Sequence, residues 1–229
     1  MTSRSEATHD VLAGLDVDVL LSQLRYPTGA IGHAVGDMME RVNAALIDAA
    51  YSRLDVQANE RILEVGLGNG GHIASVLTRA PCLRLAGVDV SPTMIAAARS
   101  RNAVFVEHGQ VLLQTASVTD LPFPGAVFDK AIAINAVYFW PDLTAGLREI
   151  RRVLRENGVL VIAAMTPETS LTMPFAEHGF QVYGPTALRN ACFDAGFNHV
   201  QMERYTDRPS NPANPQPARE FFLIQTSRM

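Results

Sequence analysis

Apolar positions along the chain change their period twice. Val11, Leu12, Leu15, Val19, Leu20 and Leu24 recur at helical spacing and end in the breaker cluster Tyr26-Pro-Thr-Gly-Ala-Ile-Gly32. A second helical pattern runs from about His33 to Leu54, with Val35, Met38, Met39, Val42, Leu46 and Ala49/Ala50 on one side. From Arg61 onward, short apolar runs alternate with helical stretches. The runs are Arg61–Val65, Leu83–Val88, Val111–Gln114, Phe128–Ile134 and Val159–Ala164. Helices are expected between them from His72 to Arg79, from Ser91 to about His108, and from Asp142 to Arg155. Ser91-Pro92 is a strong opening signal, an N-cap residue followed by proline at the first helical position. This order predicts right-handed βαβ crossovers and a parallel sheet covered on both faces. The tail departs from it. After a helix over Thr186–Ala195, the runs His199–Tyr205 and Glu220–Thr226 are joined only by a proline-rich stretch, which predicts an antiparallel hairpin at one sheet edge.

Composition narrows the class. The 229 residues have a mass of 24.9 kDa, and size scaling lets such a chain bury about 70% of its surface, enough for a core without crosslinks. With 48% hydrophobic and 18% charged residues, a disordered chain is excluded. Cys82 and Cys192 cannot build a disulfide framework, and no Cys/His spacing predicts a metal site. The net charge of −4 argues against a nucleic-acid partner. The polar start and the lack of a long apolar run lead us to expect a cytoplasmic protein that does not enter membranes. Of 19 basic residues only Lys130 is a lysine.

The segment Gly66-Leu-Gly68-Asn-Gly70-Gly71 satisfies both GxGxxG and GxGxG. Glycines there let a strand turn sharply into a helix and let backbone N–H groups approach a ligand. Alone, the same segment also reads as a plain tight turn. Two carboxylates change that. Asp89 ends the second strand about twenty residues on, where it can accept both hydroxyl hydrogens of a ribose. Glu64 lies two residues before Gly66, on the same face near the carboxyl end of the sheet. A carboxylate at that place suits an ammonium better than a pyrophosphate.

Together, Ile62-Leu-Glu64-Val-Gly66-Leu-Gly68-Asn-Gly70 resembles motif I of the class I S-adenosylmethionine-dependent methyltransferases. Gly87-Val-Asp89-Val-Ser91 looks like their ribose-binding acidic loop, and Asp120-Leu-Pro-Phe-Pro124 with Phe128-Asp129 is similar to their segment before the fourth strand. Leu147–Leu154 through Asn157–Ile162 matches the helix and fifth strand that follow, although Asn157-Gly158 stands where the family often has two glycines. The resemblance implies a Rossmann-like, doubly wound α/β fold. Its seven-stranded sheet would be mostly parallel with an antiparallel C-terminal hairpin, in a core over 56–229; residues 1–55, outside the common core and helical in pattern, are expected to form a cap. It also implies S-adenosylmethionine as cofactor and S-adenosylhomocysteine as product. Glu64 and the backbone of Gly66, Gly68 and Gly70 would hold the methionine moiety, and Asp89 the ribose. Val90 and Met94 would flank the adenine, with an ordinary core methionine the equal alternative for Met94. Ala116 and Ser117 would lie by its amino edge, with a solvated loop serine the equal alternative for Ser117, and Asn135 would border the transferable methyl.

A sulfonium methyl is already activated, so a protein needs mainly to align the acceptor and exclude water. A base is required only where the acceptor must first lose a proton. His33 and His178 are the candidate bases, each with surface placement as the plain alternative. Tyr26, Tyr138, Phe139 and Trp140 are the candidate acceptor-lining residues; packing beneath the next helix is the alternative for at least one of the last three. His72, His108 and His199 read as structural. Asn135-Ala-Val-Tyr138 is not the Asn-Pro-Pro-Tyr type of base-amine methylation, and Pro81-Cys82 lies before the wrong strand for cytosine methylation. No carboxylate cluster predicts a metal. A small-molecule methyltransferase is therefore expected. The rivals are an NAD(P)-dependent oxidoreductase, against which the chain has no Tyr-xxx-Lys pair because Lys130 does not follow a tyrosine by four, and a catalytically silent S-adenosylmethionine-binding protein.

Overall fold

A computed structural model describes residues 14–173, 181–207 and 218–229. Two helices lead, α1 (Val17–Arg25) and the 26-residue α2 (Gly29–Leu54), about 39 Å long at 1.5 Å per residue. Asp16 caps α1 by accepting from the Asp18 N–H, and Asp55 closes α2 in the left-handed conformation at φ 53°. Helix α2 starts four residues before the expected His33, because Gly29 and Gly32 of the breaker cluster are absorbed into its first turn. Gly32 fits there because a Cβ would come within 2.7 Å of the Pro27 carbonyl carbon.

Next come β1 (Arg61–Val65), α3 (Ile73–Leu77), β2 (Arg84–Asp89), α4 (Pro92–Arg101), α5 (Ala103–Glu107), β3 (Val111–Thr115) and β4 (Phe128–Ile134). A short 3₁₀ turn (Val137–Phe139) precedes α6 (Leu143–Val153), β5 (Leu154–Met165), α7 (Pro167–Leu171), α8 (Pro185–Asp194), β6 (Asn198–Asp207) and β7 (Arg219–Ser227). One helix was expected from Ser91 to His108; it divides at Asn102. The Asn102 amide donates to the Ala98 and Gly70 carbonyls at 2.9 Å, so it caps one helix and ties the glycine loop to it.

The strands form one seven-stranded sheet in the order β3-β2-β1-β4-β5-β7-β6. The first five are parallel, while β7 pairs antiparallel with both β5 and β6. Ile62–Val65 of β1 and Lys130–Ala133 of β4 are buried without alternation, as central parallel strands must be. The strand order reverses between β1 and β4, and a crevice opens at that point beyond their carboxyl ends. A single apolar cluster fills the interior and takes in Leu46, Ala50, Tyr51 and Leu54 from the last turns of α2. Lys130 on β4 is 9% exposed. Its Nζ donates to the Leu54 and Asp55 carbonyls at the end of α2 and lies 3.4 Å from Glu60, so one cation serves a helix terminus and a carboxylate. Among the described residues no helix is long and apolar enough to cross a membrane.

Candidate functional site

The glycine loop leaves β1 through three left-handed residues, Gly66 (φ 76°), Gly68 (φ 60°) and Gly70 (φ 63°). Each side-chain-free position has its own reason. A Cβ on Gly66 would come within 2.7 Å of the Ala136 Cβ, and one on Gly70 within 2.9 Å of Ala98. A Cβ on Gly68 meets nothing within 4 Å; it would stand in the open crevice. The turn is held by the Gly66 N–H donating 2.8 Å to the Val88 carbonyl, which sets the loop against the end of β2.

Asp89 completes that join. Its two carboxylate oxygens accept from the Gly68 N–H at 3.0 Å and the Ser91 N–H at 2.9 Å. Burial raises the pKa of its carboxyl above the ordinary value, against the pull of those two donors. Each oxygen keeps a lone pair for a further donor. The Ala116 N–H bonds the Asp89 carbonyl at 3.0 Å, so the end of β3 lies beside it. Ser117 accepts from the Thr119 N–H at 3.3 Å. Val90 is 42% exposed at the crevice edge, whereas Met94 is buried beneath Gly36 of α2, where a Cβ would touch its Sδ at 2.9 Å.

Glu64 is 2% exposed and fully engaged. Its Oε2 accepts from the Tyr51 hydroxyl at 2.8 Å, and His72 Nε2 lies 3.0 and 2.8 Å from its two oxygens. The structural reading of His72 thus understates it: the residue that follows the loop turns back onto the motif I carboxylate. Burial lowers the His72 pKa, but the charge and hydrogen bonds of Glu64, with Glu40 behind, outweigh this and raise it. Burial and Glu64 raise that of Tyr51 well above its ordinary value, so it stays a donor.

Across the crevice, Asn135 ends β4 in a left-handed conformation (φ 51°). Its amide donates to Asn43 Oδ1 of α2 at 3.2 Å, and its own oxygen accepts from the Tyr138 hydroxyl at 3.2 Å. Tyr138 also accepts from the buried Met165 N–H. Arg219 reaches Asn43 at 3.4 Å while pairing with Asp207. Phe139 stands edge-on to Tyr138 with centroids 6.2 Å apart. Trp140 turns into the core against Gly146 of α6, the packing role foreseen for one of the three aromatics.

The start of α2 lies over this arrangement. Ser91 donates to the Pro27 carbonyl at 2.5 Å, Asn69 donates to Asp37 at 2.9 Å, and Arg101 pairs with Asp37 and Glu40. Tyr26 and His33 lie on this strap with exposed side chains. His178 lies outside the described residues. Tyr51, His72, Asn43, Asn69 and Arg219 carry no motif. Only Asn43 leaves a trace in the pattern, as a polar residue on the buried stripe with Leu46, Ala50 and Leu54.

Residues 63–162, from within β1 to within β5, match the methyltransferase domain family. The uncharacterized methyltransferase YdaC of Bacillus subtilis is 32% identical over 133 residues, which are 58% of this chain and 71% of YdaC. The O-methyltransferase resE of Aspergillus sclerotiorum is 31% identical over 140 residues, of which this chain spans 53% of the relative. The chain belongs to the class I S-adenosylmethionine-dependent methyltransferases. Solved structures show the same fold. A chain from the complex of the Haloferax volcanii Trm112 methyltransferase activator superposes with a TM-score of 0.70 at 22% identity, covering 84% of this chain and 92% of that one. The [4+2]-cyclase SpnF superposes at 0.65 and 17% identity, covering 86% and 82%. S-adenosylmethionine is the cofactor of this methyltransferase. The described residues fit it in kind, with open space above Gly68, a carboxylate at Asp89 for hydroxyls and a buried carboxylate at Glu64 for an ammonium.

Proposed function

We propose that the chain methylates a small-molecule acceptor held between Asn135 and the strap of α2. The observation that carries this reading is the strap itself. Pro27, Asp37 and Glu40 are tied to Ser91, Asn69 and Arg101, so the crevice is roofed along one side and its opening suits a small molecule better than a polymer. Relatives named O-methyltransferase, and one named 27-O-demethylrifamycin SV methyltransferase, support a small acceptor. The net charge of −4 speaks in the same direction.

S-adenosylmethionine supplies an activated sulfonium methyl. The chain's part is to bind, orient and exclude water. Glu64 would take the ammonium and the Gly66–Gly70 backbone the methionine moiety. Asp89 would accept from the ribose, the exposed Val90 would border the adenine, and Ala116 and Ser117 would lie by its amino edge, while Met94, expected beside the adenine, is packed beneath Gly36. Asn135, fixed by Asn43 and Tyr138, borders the methyl and sets the approach of the acceptor. With the cofactor bound, transfer would need little beyond an aligned acceptor and a dry site, which Asn135 and the strap would provide. Of the expected cap over 1–55, the described residues 14–55, with Tyr26 at an exposed bend, serve as the cap. Tyr138 acts through Asn135, and Phe139 closes the side beside it. His33 is the base candidate within the described residues for acceptors that must lose a proton.

A screen of grouped small metabolites, followed by release of S-adenosylhomocysteine, tests this reading. Turnover with one chemical group is expected. Turnover confined to protein or nucleic-acid acceptors would refute it, and saturable NADH binding with none of S-adenosylhomocysteine would refute the cofactor assignment.

A further inference from the structure

The engagement of Glu64 creates a conflict that the cofactor must resolve. Resting on the reading above, the ammonium of the cofactor comes to Glu64. That carboxylate already has a basic partner, since His72 Nε2 sits within 3.0 Å of both its oxygens. With His72 protonated, Glu64 belongs to a closed ion pair, and a second cation arriving at the same buried oxygens would be repelled by the first. With His72 neutral, Glu64 meets only the neutral donors of His72 and Tyr51, and its charge is left for an arriving cation.

We propose that His72 is a positioning residue that competes with the cofactor's ammonium for Glu64, so that docking of the amino-acid end expels one proton from the imidazole. The bond balance is simple: the Nδ1–H bond of the imidazolium breaks, its electron pair stays on the ring, the proton leaves to solvent, and the neutral ring keeps Nε2–H donating to Glu64. A route exists, because His72 also lines a cavity of about 260 Å³ between α2 and α3, with Glu40, Asp48 and Arg79 on its walls. The groups facing His72 are Glu64 from β1, Tyr51, Glu40 and Asp48 from α2, and Arg79 just after α3. Arg79 is itself paired with Asp48 and lies 5.7 Å from the Tyr51 ring, which leaves Glu64 and Glu40 as the anions that hold the proton on His72. Affinity for the amino-acid end therefore rises with pH until His72 is neutral, by at most about tenfold per pH unit for one proton.

Calorimetry with S-adenosylhomocysteine between pH 6 and 8.5, in buffers of different ionisation heat, measures the protons released. 5′-Methylthioadenosine, which lacks the amino acid, is the control. The expected result is release of a fraction of a proton with S-adenosylhomocysteine, none with 5′-methylthioadenosine, and affinity rising with pH only for the former. His72→Gln keeps a donor at Glu64 without the charge and should bind S-adenosylhomocysteine tightly and without pH dependence, while His72→Lys should bind it weakly throughout. Should the variants not fold, the ring resonances of His72 in the unaltered protein decide. Their titration midpoint should fall on adding S-adenosylhomocysteine and stay put with 5′-methylthioadenosine. Identical midpoints, or parallel pH profiles for the two ligands, overturn the proposal alone. Binding of neither ligand overturns the cofactor site and the proposal with it.

Discussion

Gly68→Ala separates backbone strain from ligand exclusion. Gly68 has φ 60° and its added methyl would meet no protein atom within 4 Å, so the folded chain needs no repacking. The remaining cost is the left-handed conformation, about 1–2 kcal/mol for a residue with a Cβ, reduced by about 0.4–1 kcal/mol because alanine also stiffens the unfolded chain. For a domain of this size that is a fall in Tm of about 2–4 °C per kcal/mol remaining. Gly109 is a matched control, with φ 67° and an equally empty Cβ position, between α5 and β3. Gly68→Ala and Gly109→Ala should therefore lose the same small stability. They should differ in binding: the methyl at residue 68 occupies cofactor space, and S-adenosylhomocysteine affinity should drop at least about tenfold, or 1.4 kcal/mol. Gly109→Ala should bind as the parent does. Thermal unfolding and titration calorimetry on the three proteins read both quantities. Equal affinities for all three would show that no ligand lies over Gly68, and the whole placement of the methionine moiety would fall.

Tyr138→Phe leaves the buried Met165 N–H without its acceptor and Asn135 without a donor, and should cost about 1–3 kcal/mol in denaturant unfolding; an unchanged midpoint would show that water replaces the hydroxyl. Burial pushes the Cys192 thiol up to about 12, whereas Cys82 is exposed. One thiol should react with a disulfide reagent in the folded protein and two after unfolding, and two fast thiols in the native state would contradict the buried site. Stability of the cofactor-free chain should carry a His72 signature. Its pKa is raised in the folded state, so the contribution is complete below the unfolded value of about 6.5 and is lost as pH rises through the folded one. Tm should fall between pH 6 and 8.5 in the parent and less in His72→Gln; equal slopes would remove the charge pairing.

What the sequence disclosed follows what its physics makes local. Strand and helix periods, the Ser91-Pro92 start and the glycine loop are set within a few residues, and the parallel pairing of the sheet follows from short strands alternating with helices. Asp89 was legible for the same reason, because strand and loop lengths fix its distance from Gly68. Pairings across elements left no such mark. His72 looks like any residue after a glycine turn until the chain folds it back on Glu64. Asn43 meets Asn135 only because α2 is laid across β4, and Asn102 divides a helix because the Gly70 carbonyl, thirty-two residues earlier, needs a donor.

Lys130 has a practical consequence. The only lysine in 229 residues is buried, its ammonium committed to two carbonyls and a carboxylate, and every other basic side chain is an arginine or a histidine. Acylating reagents aimed at ε-amines will therefore find none to couple in the native protein. When α2 lifts from β4 that amine is released, and mass-spectrometric pulse labelling at a single position then reports the opening of the fold.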